Sequence, residues 1–147
     1  MQEPYLIIKK KDKNMVKVMV FGAFDIFHPG HINFLEQARQ YGDYLIVVIA
    51  RDITVKNIKG AWPSNNEKDR LEQIKNSGLA NKVILGNLGD KYRVIVNFNP
   101  DIICLGYDQN SFTNNLYKEL KRLGLSDTKI IRLNPYKPEI YKSSKLK

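Results

Sequence analysis

Five short runs dense in Val, Ile and Leu recur along this chain of 147 residues: Met15–Phe21 (MVKVMVF), Tyr44–Ala50 (YLIVVIA), Lys82–Leu85 (KVIL), Asp101–Leu105 (DIICL) and Lys129–Leu133 (KIIRL). Their β-branched content and their Gly, Asp or Arg endings predict strands. Between them lie stretches with apolar residues at helical spacing. Gly30–Tyr41 carries Ile32, Leu35 and Ala38, with Phe34 adjoining, and Glu67–Asn76 carries Leu71 and Ile74. Asp90–Phe98 carries Tyr92, Val94 and Ile95, and Ser111–Leu123 carries Leu116, Leu120 and Leu123, with Gly124 as a stop. Strands that are apolar nearly throughout must be covered on both faces. The pattern therefore predicts an α/β fold with a doubly wound, five-stranded parallel sheet and helices on both faces. Ligands of such sheets sit beyond the carboxyl ends of the strands. That directs attention to residues 22–31, 51–60, 86–90, 106–110 and 134–145.

A chain of this length is expected to form one domain over 1–147, with 1–14 as an N-terminal extension and 134–147 as a C-terminal substrate-binding tail. No apolar run is long enough to span a bilayer, and the N-terminus lacks the order of a secretory signal. The single cysteine, Cys104, excludes an intrachain disulfide and points to a reducing cytoplasm, where it should be a buried small hydrophobe. The formal net charge of +9 favours anionic partners without choosing among them. Much of the excess is Lys near the two ends, which reads as a solvated fringe.

The most specific segment follows the first strand: Gly22-Ala23-Phe24-Asp25-Ile26-Phe27-His28-Pro29-Gly30-His31. Gly22 permits close approach of a backbone or ligand. Pro29 suits a first helical turn. Both histidines of the chain fall here, and their spacing puts them on one face of a helix start, beside free N–H groups and the positive dipole end. Imidazoles and unpaired amides together suit a polyphosphate and can donate to a phosphoryl group as charge builds on its oxygens. The plainer alternatives are a pair of helix-capping histidines or one His satisfied in the core. A zinc site lacks a nearby Cys or acid to complete its ligands.

With its H-x-G-H run after a G-x-F-D turn, the sequence resembles the cytidylyltransferase-like nucleotidyltransferase superfamily, from about Val16 to Lys145. It looks closest to the archaeal-type FAD synthases, which transfer AMP from ATP to FMN, with glycerol-3-phosphate cytidylyltransferases as near relatives. The features that carry this are GAFDIFHPGHINFLEQA, Ala50-Arg51-Asp52 with Thr54-Val55-Lys56 and Lys59-Gly60, Gly106-Tyr107-Asp108-Gln109, and the late Tyr136-Lys137-Pro138 with Lys142-Ser143-Ser144-Lys145. The resemblance implies a Rossmann-like fold, with His28 and His31 as catalytic residues and nucleotide contacts from Gly22, Ala23, Phe24 and Gly30. It implies that Lys56 and Lys59 touch the nucleotide's phosphates or the acceptor phosphate; surface lysines on a polar turn are the plainer reading. It places an arginine at Arg70 that reaches the phosphates by a bidentate grip, against an ordinary helix salt bridge with Glu67 or Glu72.

By the same resemblance Gly106 lies along the nucleotide and Asp108 meets a ribose hydroxyl or a metal; as a plain turn residue Asp108 needs neither. Tyr107 either stacks on a ring or stands exposed. Ser143 and Ser144 stand where the cytidylyltransferases open a last helix, and they could hold a phosphate or the base. The arginine those enzymes carry just before is absent here: Pro135–Lys142 has Lys but no Arg. Asp25 orients His28, meets the substrate, holds a metal or caps a helix. Trp62, in Gly60-Ala61-Trp62-Pro63, is either a local lid or a surface for an isoalloxazine ring.

The expected reaction is in-line transfer of a nucleotidyl group, with ATP as co-substrate, FMN as acceptor and pyrophosphate as leaving group. A divalent ion, Mg²⁺ by the charge argument, offsets the triphosphate; Asp25 and Asp108 are its candidate ligands. The rival within the same chemistry is CTP with glycerol 3-phosphate or a related phosphorylated alcohol. A nucleotide- or nucleic-acid-binding module without turnover is the rival from another class. A nucleic-acid groove would interleave aromatics with Arg and Lys, whereas here lysines cluster at the ends and arginines are few. Neither nucleic acid nor membrane is an expected partner. Relatives in the superfamily are often homodimers, but no interface is legible in the sequence.

Overall fold

The computed structural model describes residues 15–110 and 115–137. The extension over 1–14, the start of the helix expected from Ser111, and the tail with Ser143 and Ser144 lie outside the described residues.

Five strands form one parallel sheet: β1 (Lys17–Gly22), β2 (Tyr44–Ile49), β3 (Lys82–Leu85), β4 (Ile102–Leu105) and β5 (Lys129–Arg132). Their order is β3-β2-β1-β4-β5. Connections from β1 run one way and those from β4 the other, so the chain's winding reverses between these two strands. A doubly wound sheet opens its ligand crevice at that point, beyond the carboxyl ends. The helices are α1 (Pro29–Arg39), α2 (Asp52–Lys59), α3 (Glu67–Asn76), α4 (Arg93–Phe98) and α5 (Leu116–Arg122).

Side chains alternate across the sheet, and both faces are buried. Val18 and Val20 join Leu45, Val47, Ile49 and Cys104 on one side, packed with Leu35 and Ala38 of α1 and Ile74 of α3. Met19 points the other way, with Ile46, Val48, Ile103 and Leu105, onto Val94 and Ile95 of α4 and Leu116 and Leu120 of α5. Cys104 is fully buried, as expected, and burial pushes its thiol up to about 12. At the amino ends of the strands, Asp101 Oδ2 accepts from the Lys17 N–H at 2.8 Å, and Thr128 Oγ1 donates to Pro100 O at 2.9 Å. That rim is closed by the protein's own groups.

The main departure from the sequence reading is α2. No helix is expected from the sequence over residues 51–60, the stretch after the second strand, yet Asp52–Lys59 is helical. Ile53, Thr54, Val55 and Ile58 are poor helix formers and hide it. The end signals were present: Asp52 in the first turn, Lys56 and Lys59 in the last, and Gly60 at φ +82° as the left-handed stop. A smaller difference is α4, which begins at Arg93 because Asp90 Oδ1 accepts from the Tyr92 N–H at 3.0 Å and holds a turn before it.

Ile103 is fully buried in β4 between neighbouring strands and α4 and α5. Ile103→Ala is expected to lower stability by about 2–5 kcal/mol through lost burial and a residual cavity. Urea unfolding should show a lower midpoint with an unchanged slope.

Candidate active site

The loop after β1 folds tightly because of Phe24. Its backbone has φ +50°, in the left-handed region that bulky residues rarely adopt. This conformation turns its ring back onto Gly22, where a Cβ would stand only 2.7 Å from Phe24 Cε2. Gly22 is thus required by a neighbouring side chain. The cost of such a backbone is carried only where the surroundings enforce it, and such sites cluster where ligands bind. Here the enforcement is visible: Phe24 is 5% exposed. It meets the His31 ring edge-on at 5.2 Å and the Phe34 ring at 6.1 Å.

His28 is the N-cap of α1, and its Nδ1 accepts from the Gly30 N–H at 3.0 Å. An accepting Nδ1 carries no proton, so the neutral ring carries it on Nε2. Pro29 occupies the first helical turn, as expected. The spacing of the two histidines stacks their rings, with centroids 3.8 Å apart and planes 26° from parallel. Phe27 covers His31 from another side at 5.9 Å, with planes 18° apart.

Inside this cage His31 Nδ1 is buried and has no hydrogen-bond partner. Such an atom costs about 1–3 kcal/mol and calls for a reason beyond packing. Burial, then the neighbouring His28, then the charge of Lys59, push the His31 pKa down to about 3, against a smaller opposing pull from Asp25. Burial also lowers that of His28. The pair is therefore a stack of neutral imidazoles, able to donate hydrogen bonds without carrying charge of its own.

The remaining residues divide by what they do. Lys59 is exposed and Lys56 half-buried in the last turn of α2, and the effect of Lys59 on His31 puts its ammonium within electrostatic reach of the pair. On the other side of β1, Gly106 lies beside α1: a Cβ there would be 3.7 Å from Phe34 Cε1. Tyr107 and Asp108 are exposed on the same loop. Gly30 and Ala23 belong to the histidine loop itself, the first through its N–H to His28 and the second through its carbonyl.

Two residues expected to meet the ligands are instead engaged by the protein. Asp25 is 2% exposed, and its carboxylate accepts from Ser64 N–H at 2.8 Å and Asn65 N–H at 2.9 Å. Arg70 is 1% exposed; it donates to Asn65 O at 2.9 Å, to Ala23 O at 2.8 Å and to Asp52 Oδ1 at 2.7 Å. Of the readings of Arg70, this is the salt bridge, with Asp52 rather than Glu67 or Glu72 as partner. Glu67 pairs with Arg51 at 3.1 Å and accepts from the Asp52 N–H at 2.8 Å. Together these groups staple the loop after β1 to α2 and to the segment before α3.

Three residues, Gln109 of the Gly106–Gln109 run among them, set loops in a role that the sequence reading does not give them. Gln109 takes the Gly106 N–H at 3.2 Å and donates to Phe21 O at 3.0 Å. Arg132 Nη1 donates to Gly106 O at 2.7 Å and Gln109 O at 3.0 Å. Gln37 of α1 pairs both ways with the backbone of Asn134. Apart from Gly106, three residues before Gln109, their partners lie far away in sequence. No cluster of three His, Cys, Asp or Glu that could hold a metal exists among the described residues, and both Asp25 oxygens are taken. The described residues do not fit an ion held by the protein alone.

The sign of the His31 shift gives a test. At pH 7 the ring is neutral in folded and unfolded chains alike. Below pH 6.5 the unfolded chain takes up a proton that the folded one refuses until near pH 3, so stability falls with pH. The expected loss from this group between pH 6.5 and 5 is about 2 kcal/mol. Denaturant unfolding at the two pH values should show it, and His31→Phe should remove that share of the slope.

The chain is similar to known proteins over most of its length. A family model described as cytidylyltransferase-like matches residues 19–147. The FAD synthase of Thermoplasma volcanium is 38% identical over 133 residues, 90% of this chain and 92% of that protein. The FAD synthase of Aciduliprofundum boonei is 41% identical over 122 residues, covering 83% and 80%. Among solved structures, a Thermoplasma volcanium protein described as a lipopolysaccharide core biosynthesis protein superposes with a TM-score of 0.78 at 40% identity, over 83% of this chain and 98% of that one. A pantoate-beta-alanine ligase from Francisella tularensis shares the fold at a TM-score of 0.60 and 20% identity, over 88% of this chain and 62% of that one. The family match begins inside β1 and takes in every later strand and helix of the sheet, so the chain belongs to the cytidylyltransferase-like family.

Proposed function

We propose that this protein is an FMN adenylyltransferase, making FAD and pyrophosphate from ATP and FMN. The observation that carries it is the stacked, neutral histidine pair at the mouth of the first βα unit, in a chain whose relatives named FAD synthase match it nearly end to end. In the reaction a phosphate oxygen of FMN attacks the α-phosphorus of ATP. The new P–O bond forms as the bond to the bridging oxygen breaks, and that electron pair leaves with pyrophosphate. No covalent enzyme intermediate is needed. Catalysis consists of positioning and of stabilising charge on the phosphoryl oxygens.

This chain's residues supply both. The Nε2–H of His28, fixed by the cap bond at Nδ1, donates to an α-phosphoryl oxygen. His31 stacks beneath it and offers its own ring edge. Being neutral, the pair does not bind the negative ground state through charge, so its hydrogen bonds gain most as charge concentrates in the transition state. Lys56 and Lys59 hold phosphates, and as mobile point charges they can follow them. Gly106 and Asp108 line the nucleotide on the β4 side. A divalent ion such as Mg²⁺ would be held by the triphosphate rather than by this chain's residues, and would offset its charge. The single, buried Cys104 supports a reducing, cytoplasmic setting. No helix among the described residues is long and apolar enough to cross a membrane.

Pyrophosphate release measured over ATP and CTP, each with FMN and with glycerol 3-phosphate, tests the assignment. ATP with FMN is expected to give the highest kcat/KM; turnover confined to CTP with glycerol 3-phosphate would reject it. His31→Ala should lower kcat by about 10²–10³ with the fold intact by circular dichroism. A variant within about fivefold of wild type would exclude His31 from transition-state stabilisation.

A further inference from the structure

Trp62 is the chain's single tryptophan and stands 57% exposed at the carboxyl edge of the sheet. Its mount is stiff. Gly60 ends α2 at φ +82°, with its N–H on Lys56 O at 2.8 Å, and turns the chain outward. Pro63 follows and confines Trp62 to extended backbone. The next two residues, Ser64 and Asn65, are gripped by the buried Asp25 carboxylate, and Asn65 Nδ2 also donates to Asp25 O. An indole this exposed on a segment this firmly tied is a preformed aromatic surface.

The ring borders a cavity of about 310 Å³, walled also by Asp52, Asn65, Asn66 and Asp69. The wall offers amide and carboxylate edges to a neutral heterocycle, and its Asp52 carboxylate is already paired with Arg70 at 2.7 Å. Two residues of the cavity wall, Ser64 and Asn65, are hydrogen-bonded to Asp25, which precedes His28 in the histidine loop. The Trp62 segment also continues directly from Lys59, whose charge acts on His31. One stretch of chain, residues 56–62, thus presents cations at one end and a flat apolar face at the other. That arrangement matches a molecule with a phosphate at one end and a planar ring system at the other. It lies on the β2 side of β1, whereas the loop assigned to the nucleotide, 106–109, lies on the β4 side.

We infer that Trp62 stacks on the isoalloxazine ring of FMN and determines specificity for the acceptor. The inference rests on the FMN adenylyltransferase reading above. Stacking on an aromatic side chain is sequence-tolerant and strong enough to set affinity for a flat ring.

The test is steady-state kinetics of the full chain with ATP and FMN, for wild type, Trp62→Ala and Trp62→Phe. Trp62→Ala is expected to raise KM for FMN about tenfold or more, with KM for ATP within about twofold of wild type. Trp62→Phe should recover most of the loss, because it keeps an aromatic face. A second readout is independent of turnover. Bound FMN should be dim in the wild type, since an indole in contact quenches flavin emission, and brighter in Trp62→Phe. If a folded Trp62→Ala keeps the wild-type KM for FMN, the inference is overturned while the adenylyltransferase reading stands. A rise in KM for ATP alone overturns it in favour of adenine in this cavity. A wild type that consumes no FMN overturns both.

Discussion

A parallel sheet buried on both faces has only one edge at which chemistry can be assembled. Helices seal its two surfaces here, and Asp101 and Thr128 tie down the amino rim. At the carboxyl rim the helix α1 begins with unpaired backbone donors, and His28 takes one of them with its side chain. That single bond sets the proton position on one imidazole, and the helical spacing then lays the second beneath it. The site is a consequence of how a buried sheet must end.

The charges at this rim are sorted by burial. Asp25 and Arg70 are closed off and serve as staples between loops, because a buried ion is tolerable only when its hydrogen bonds are filled by the protein. Lys59 remains accessible. A mobile ammonium on a helix end can meet a phosphate that comes and goes; a guanidinium committed to two carbonyls and a carboxylate cannot follow it without releasing the loops. The cavity beside Trp62 has no Lys or Arg among the described residues that line it, and its Asp52 is paired with Arg70, so it suits the uncharged part of a substrate.

Much of this was legible in the sequence, for physical reasons. Apolar runs and helical spacing are imposed by burial, so the five strands and most helices could be read from the order of apolar residues. The histidine pair could be read because a helix start after a strand dictates what its side chains face. The helix α2 was missed because β-branched residues obscure a segment whose helicity depends on its ends and on the burial of Val55. The bond of Gln109 to Phe21 and those of Arg132 and Gln37 were not legible because these partners are brought near only by the finished fold. Arg70 was identified as important, but its role depends on burial, which a sequence position does not reveal.

The closeness of Gly22 to the Phe24 ring reaches beyond the local turn. A methyl group at position 22 would have to displace the ring, and the ring in turn covers His31. A smaller residue at 24 would admit a side chain at 22 but uncover the imidazole. The constraint runs one way: a side chain at 22 requires a smaller residue at 24, whereas a smaller residue at 24 with glycine kept at 22 costs only the cover over His31.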